Sequence, residues 1–403
     1  MGKERFQTNP FPSLELSEDD RVLVLDLVHT LIQQNFVKYE NYVALDARTV
    51  DLMRWKHVKT RDDLNIYVRR EDAEQPRGRK KSRAEQSTDS DLPVMLSVGT
   101  FNGKMDDLML GVMNPTLDVM RMKASYVHDV NDAAVLAPII EPTVEDPFLS
   151  VVVKWMQRDL PLESTKLIKN RDFVYVEATG ILHFKNGERV GYHLMHSIDF
   201  PQTHPLPSVV RGNLSICCMF RQLSESLIDN HSFSTLEPGG ELPRFLMLPI
   251  AAECLLSSTN YEYCGQMMKL AWMLQRRQSQ SARQARRADM CVSCTKSTTT
   301  GTMGSIGRST CKICHGGVCL SCKVRKRISV IGPDGKMMQP KISFCVVCVS
   351  EAAQLDALDV ARDMAKGYDA TKTLHNPSLD TSSSMSDSLS DVSGGRETQA
   401  RST

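Results

Sequence analysis

The chain has no uninterrupted run of eighteen apolar residues, so no stretch has the apolar length that a bilayer-crossing helix requires. It also has no apolar segment near its start. Met1-Gly2-Lys3-Glu4-Arg5-Phe6 is charged, which predicts a cytoplasmic chain whose thiols stay reduced. An excess of either charge is missing: 49 Lys and Arg meet 48 Asp and Glu, which excludes a polyelectrolyte. Aromatic residues are scarce, at 6%, and none interleaves the basic run Lys323-Val324-Arg325-Lys326-Arg327. Stacking on nucleic acid is therefore not expected. No Ser/His/Asp arrangement, phosphate-cradling glycine loop or specific pair of carboxylates stands out, so the chain is read as non-enzymatic. His183, His193 and His196 fall on one hairpin, but His193 and His196 are three apart and face opposite sides of a strand. Two ligands of one ion share a face, so these are read as core or surface histidines.

What the chain does have is paired cysteine. Eight of its twelve cysteines form four Cys-x-x-Cys pairs: Cys291/Cys294, Cys311/Cys314, Cys319/Cys322 and Cys345/Cys348. Two residues between thiolates let both sulfurs of one turn reach one Zn²⁺, and four pairs supply two closed Cys₄ sites. Alternating pairs would interleave, with Cys291, Cys294, Cys319 and Cys322 in one site and Cys311, Cys314, Cys345 and Cys348 in the other. That cross-brace staples a segment too short for its own core. The predicted cofactor is two Zn²⁺. From Arg276 to Ser350 fourteen lysines and arginines face only Asp289 and Asp334, and the module keeps about +8 after the two thiolate sites are counted. Such a charge favours phosphate, in lipid headgroups, an anionic membrane surface or nucleic acid, the last ranked lowest for want of stacking aromatics. Docking of the module to a membrane or a protein partner is expected.

Along the chain, Ser17 caps a helix reaching about Val43, and Trp55–Val68 reads as two strands about a turn at Asp62-Asp63. Residues 71–92 are polar and are expected to be a disordered insertion within the first domain. Strands follow at 94–101, 133–140, 148–156, 172–183, 189–200, 209–222 and 228–236, and Asn186-Gly187 marks a hairpin. Two short helices lie at 106–113 and 116–125. Their methionines Met105, Met109, Met113, Met120 and Met122 have two readings, core filler and cavity lining. Cys217, Cys218, Cys254 and Cys264 are read as buried small hydrophobes, and Arg171-Asp172 as a structural ion pair. One long helix is predicted over 243–278. A basic linker at 278–290 leads to the cysteine module at 291–350, followed by a short helix at 351–366 and a disordered Ser-rich tail at 367–403.

This order predicts an α+β fold in which a curved antiparallel sheet wraps a long C-terminal helix. Residues 17–277 resemble the START (StAR-related lipid-transfer) family through Trp55–Val68, Pro147-Phe-Leu-Ser-Val-Val-Val-Lys-Trp155, Arg171-Asp172-Phe173-Val174 and Pro205-Leu-Pro-Ser-Val-Val-Arg-Gly212. The resemblance implies a helix-grip fold around a hydrophobic tunnel and a lipid ligand. The alternative is a packed interior with no ligand.

The cysteine spacing, with gaps of 16, 4 and 22 residues, resembles a FYVE-type finger. That resemblance implies phosphoinositide binding and peripheral attachment to endosomal membranes, with Arg308, Lys312, Arg325, Lys326, Arg327 and Lys341 as headgroup contacts. The sequence departs from the family at Ser309 and Thr310, where it has two histidines, at Ser343, where it has arginine, and at His315, where it has glycine. Its Trp-x-x-Asp before the first cysteine is also absent. A RING reading uses His315 in place of Cys314 and implies a ubiquitin ligase. The START-like and FYVE-like order as a whole resembles a family of two-domain proteins abundant in oomycetes. It implies a zinc-binding, lipid-associated adaptor, the further alternative being a pure protein scaffold.

Overall fold

A computed structural model describes residues 9–70, 93–128, 130–159, 169–240, 244–280, 290–298, 309–332 and 335–372. The 71–92 insertion, most of the 278–290 linker, Arg308 and most of the 367–403 tail lie outside the described residues. The first element is α1 (Glu18–Ala44), closed at its start by a capping box between Ser17 and Asp20. Strands β1 (Trp55–Arg61), β2 (Leu64–Arg69) and β3 (Val94–Asn102) precede α2 (Met105–Val112) and α3 (Leu117–Val127). Then come β4 (Asp132–Ile140), β5 (Ser150–Arg158), β6 (Arg171–His183), β7 (Arg189–Ser197), β8 (Val210–Arg211), β9 (Asn213–Ser224) and β10 (Leu227–Glu237). They form a sheet in the order β1-β2-β3-β10-β9-β7-β6-β5-β4, antiparallel throughout except for the short parallel pair β6–β8.

Strand alternation gives the sheet two covered faces. On the outer face Val176 and Ala178 of β6, Tyr192 and Leu194 of β7, and Cys217 and Met219 of β9 pack with Val28, Ile32 and Tyr39 of α1. The inner face holds α2, α3 and the C-terminal helices. This is the expected helix-grip arrangement.

The long C-terminal helix is in fact two, α4 (Arg244–Leu256) and α5 (Tyr261–Gln280), joined by a 3₁₀ turn over Ser257–Asn260. Its cause is local: the hydroxyls of Ser257, Ser258 and Thr259 donate to the carbonyls of Cys254, Leu255 and Leu256, three residues back. Helices α2 and α5 cross in backbone contact. A Cβ at Gly265 would overlap the carbonyl of Asp107, and one at Gly111 that of Tyr261.

The cysteine module contains three two-stranded ribbons: β11 (Ser309–Thr310) with β12 (Gly317–Val318), β13 (Lys323–Arg327) with β16 (Lys341–Cys345), and β14 (Val330–Ile331) with β15 (Met337–Met338). The helix expected at 351–366 is also split, into α6 (Val346–Gln354) and α7 (Ala357–Lys372), with the extended Leu355 between them.

Candidate ligand cavity and metal centres

Two groups of four cysteines are assembled by the module. Cys291, Cys294, Cys319 and Cys322 bring their sulfurs within 4.8 Å of one another, and so do Cys311, Cys314, Cys345 and Cys348. Cys294 and Cys319 lie 3.7 Å apart and Cys314 and Cys345 3.9 Å. A disulfide needs about 2.05 Å. A tetrahedron with Zn–S bonds of about 2.3 Å has edges of about 3.8 Å, so both groups fit zinc. Zinc held there is structural, because four thiolates leave no position for water or substrate. The two N-terminal turns share a geometry. Thr295 N–H donates to Cys291 O and His315 N–H to Cys311 O, each at 2.9 Å. Both residues then take positive φ, +57° and +56°. The geometry places Cys314, and not His315, in the four-sulfur group.

Of the expected headgroup residues, Arg308 lies outside the described residues. The others lie on the β13–β16 ribbon or, for Lys312, beside it, where its backbone N–H donates to Ser343 O at 3.0 Å. Arg325, Arg327 and Lys341 share a face of the β13–β16 ribbon, where Arg327 pairs with Lys341, and all three are exposed. Lys326 points the other way, with its ammonium 5.1 Å above the Tyr263 ring of α5. Lys312 is exposed beside the second cysteine group.

The finger is packed onto the larger domain by specific contacts. Ser125 of α3 meets Ser329 at 2.6 Å, Ser329 N–H donates to Tyr126 Oη at 2.7 Å, and Arg121 donates to Gly335 O at 2.9 Å. Lys269 of α5 is wholly buried. It pairs with Asp107 at 2.6 Å and donates to Ala353 O and Leu355 O, at the end of α6, at 2.9 and 3.0 Å.

Between the inner sheet face and helices α3 to α5 lies a cavity of about 100 Å³. Met95, Met120, Met156, Met195 and Met247 line it. Of the methionines singled out from sequence only Met120 does so; Met105, Met109 and Met113 fill the core. Cys218 also lines it, and burial pushes that thiol up to about 12, so it stays protonated.

No protein-family model matches the chain, and no curated protein does. Among solved structures, human StAR-related lipid transfer protein 5 is similar at 14% identity over 61% of this chain and 98% of that one, with a TM-score of 0.42. Human STARD10 is similar at 13% identity over 56% and 79%, with a TM-score of 0.37. A STAR-related lipid transfer protein from Xanthomonas axonopodis is similar at 15% identity over 53% and 99%, with a TM-score of 0.36. The architecture itself rests on the strand order, register and helix placement described above.

One corner of the cavity carries charge that the sequence reading missed. Glu177 is buried against Lys154, against Lys123 at 3.7 Å, and against His193 Nε2 at 2.6 Å. Burial alone would raise the Glu177 carboxyl, but Lys154, Lys123 and the His193 hydrogen bond hold it well below the usual range. Burial keeps His193 neutral against the pull of Glu177, so its Nε2–H donates to the carboxylate. Lys154 also donates to Asn114 O at 2.6 Å. The available signal was a lysine inside Val151-Val152-Val153-Lys154-Trp155 and a glutamate inside Val174-Tyr175-Val176-Glu177-Ala178, both on inward-facing positions of apolar strands.

Arg171 and Asp172 do not form the ion pair expected of them. As strand neighbours they face opposite sides. Asp172 pairs outward with Arg211 at 2.8 Å and accepts from Trp155 Nε1 at 3.0 Å, while Arg171 turns into the cavity.

Proposed function

We propose that this protein is a non-enzymatic, zinc-stabilised, lipid-associated adaptor. The larger domain holds a hydrophobic molecule, and the FYVE-like finger docks to a membrane or a protein partner. The observation that carries this reading is the methionine-lined cavity with a few charged groups fixed in its wall, since a few fixed polar groups in an apolar hollow are what orients an amphiphile. Ligand pockets usually span about 300–1,000 Å³. A lipid-sized guest therefore enters by repacking side chains, and unbranched methionines do this at low cost. Glu177 is committed to two lysines and a histidine, which favours a positioning role over proton transfer.

The finger's outward basic face of Arg325, Arg327 and Lys341 supports attraction to an anionic surface, about 1 kcal/mol per charge. Lys326, turned onto Tyr263, takes no part in it. The exposed Leu320, Val346 and Val347 lie within cysteine turns of the same module and offer apolar contact.

Organic extraction of the purified full-length protein tests the reading. A stoichiometric apolar molecule is expected in the extract. An empty extract, together with no uptake of added lipid, would replace the reading with a protein scaffold.

A further inference from the structure

Helix α3 stands between the cavity and the finger. Met120 and Lys123, on one stripe of the helix, line the cavity. The neighbouring stripes meet the finger: Arg121 donates to Gly335 O at 2.9 Å, Ser125 meets Ser329 at 2.6 Å, and Gln339 Nε2 donates to Ser329 Oγ at 3.3 Å. Tyr126 Oη accepts from Ser329 N–H at 2.7 Å and donates to Arg327 O at 3.4 Å. Tyr263, just beyond the cavity-lining Tyr261, meets the Tyr126 ring edge-on at 6.2 Å and carries the Lys326 ammonium. These finger residues all lie between Cys322 of one four-sulfur group and Cys345 of the other, so zinc at both groups pins both ends of the segment. The finger thus has two attachments of different kinds. Its seat on α5 is an apolar core with the buried Lys269–Asp107 pair. Its seat on α3 is held by hydrogen bonds, which water replaces at small net cost when they part. The cavity's sheet wall has no such freedom, because each of its strands, β3, β5, β6, β7, β9 and β10, is paired on both sides. Backbone room for a guest must come from the helices.

We propose that the zinc-held finger braces α3 against the cavity, so that ligand entry and seating of the finger on α3 oppose one another. A guest that pushes Met120 outward parts Ser125 and Tyr126 from Ser329, while the finger stays attached through α5. This rests on the hydrophobic-ligand reading above and adds its regulation: whatever draws the 323–345 segment off α3 opens the cavity. The coupling is reciprocal, so a freed finger raises ligand affinity by the factor by which the ligand loosens the finger.

Isothermal titration of the full-length, zinc-loaded protein with 1-octanol tests it, comparing wild type with Y126F and K326A. Neither Tyr126 nor Lys326 lines the cavity. Both variants should bind octanol at least about fivefold more tightly than wild type, the lower end of coupling between two sites. Octanol should in turn speed amide hydrogen exchange over residues 325–331 of wild type. A substitution that merely loosened the fold would bind octanol no better. K326A leaves the hydrogen bonds of α3 in place and carries the comparison if Y126F does not fold. Octanol affinity that stays level or falls in the folded variants, or exchange that octanol does not speed, overturns the brace while leaving the hydrophobic-ligand reading intact. Room is then made by α4, whose Glu253 pairs with Lys59 and Arg61. Failure of octanol to bind wild type and both variants overturns both.

Discussion

His315 and Thr295 each follow a metal-binding turn and sit in the left-handed region, which costs a non-glycine residue about 1–2 kcal/mol. The FYVE-like pattern has glycine at the position of His315, and the backbone explains why. C314S should lose one zinc by native mass spectrometry, whereas H315G should keep both and raise stability by about 1 kcal/mol. If H315G loses a zinc and C314S keeps two, the RING reading takes over. At this scale the sequence was legible for the cysteines, because ligand pairs two residues apart are a local signal. It was illegible for Lys154 and Glu177, whose partnership is made by strand pairing across 23 residues. Arg171 and Asp172 show the same limit: adjacency in sequence suggested a pair, and the pleat sent the two side chains to opposite faces.

Among the elements, the crossing of α2 and α5 is the tightest junction. Gly111 and Gly265 allow each backbone to meet the carbonyls of the other helix. G265A has no free space for its methyl group and must push α2 away, so a loss of about 3 kcal/mol is expected in urea denaturation. A loss below about 1 kcal/mol would mean that the helices separate easily. The strands were readable from alternation and the Asn186-Gly187 turn, and the observed β4 to β7 follow the expected spans closely. The continuous C-terminal helix was not correct. Ser257-Ser258-Thr259-Asn260 is a run of four polar residues between apolar stretches, a break that reading one helix across it passed over, and its back-bonding hydroxyls make the 3₁₀ turn. The extended Leu355 that separates α6 from α7 was invisible to periodicity.

For the whole molecule, Lys269 ties three parts together: Asp107 on α2, its own helix α5, and the end of α6 after the finger. K269M leaves Asp107 buried without its ion-pair partner, which should cost about 3–5 kcal/mol in chemical denaturation. D107N/K269M should recover part of that loss, and K269M should also release the finger to proteolysis. Equal loss in the single and double variants would show that the carbonyl contacts, and not the pair, hold the junction. Buried residues of the finger and its following helices, such as Phe344 and Val360, lie in one core with Leu270 and Met273 of α5.

By itself the sequence determined the α+β class and the two-zinc module. Both depend on short-range regularities: alternation along strands, spacing along helices, and thiolates two residues apart. The tertiary structure alone decided that two arginines thirteen positions apart share a cavity wall, that Glu177 is neutralised by lysines from other elements, and that the finger is bound to the grip through Lys269. These are pairings across strands and helices, set by register and packing, and no spacing along the chain encodes them.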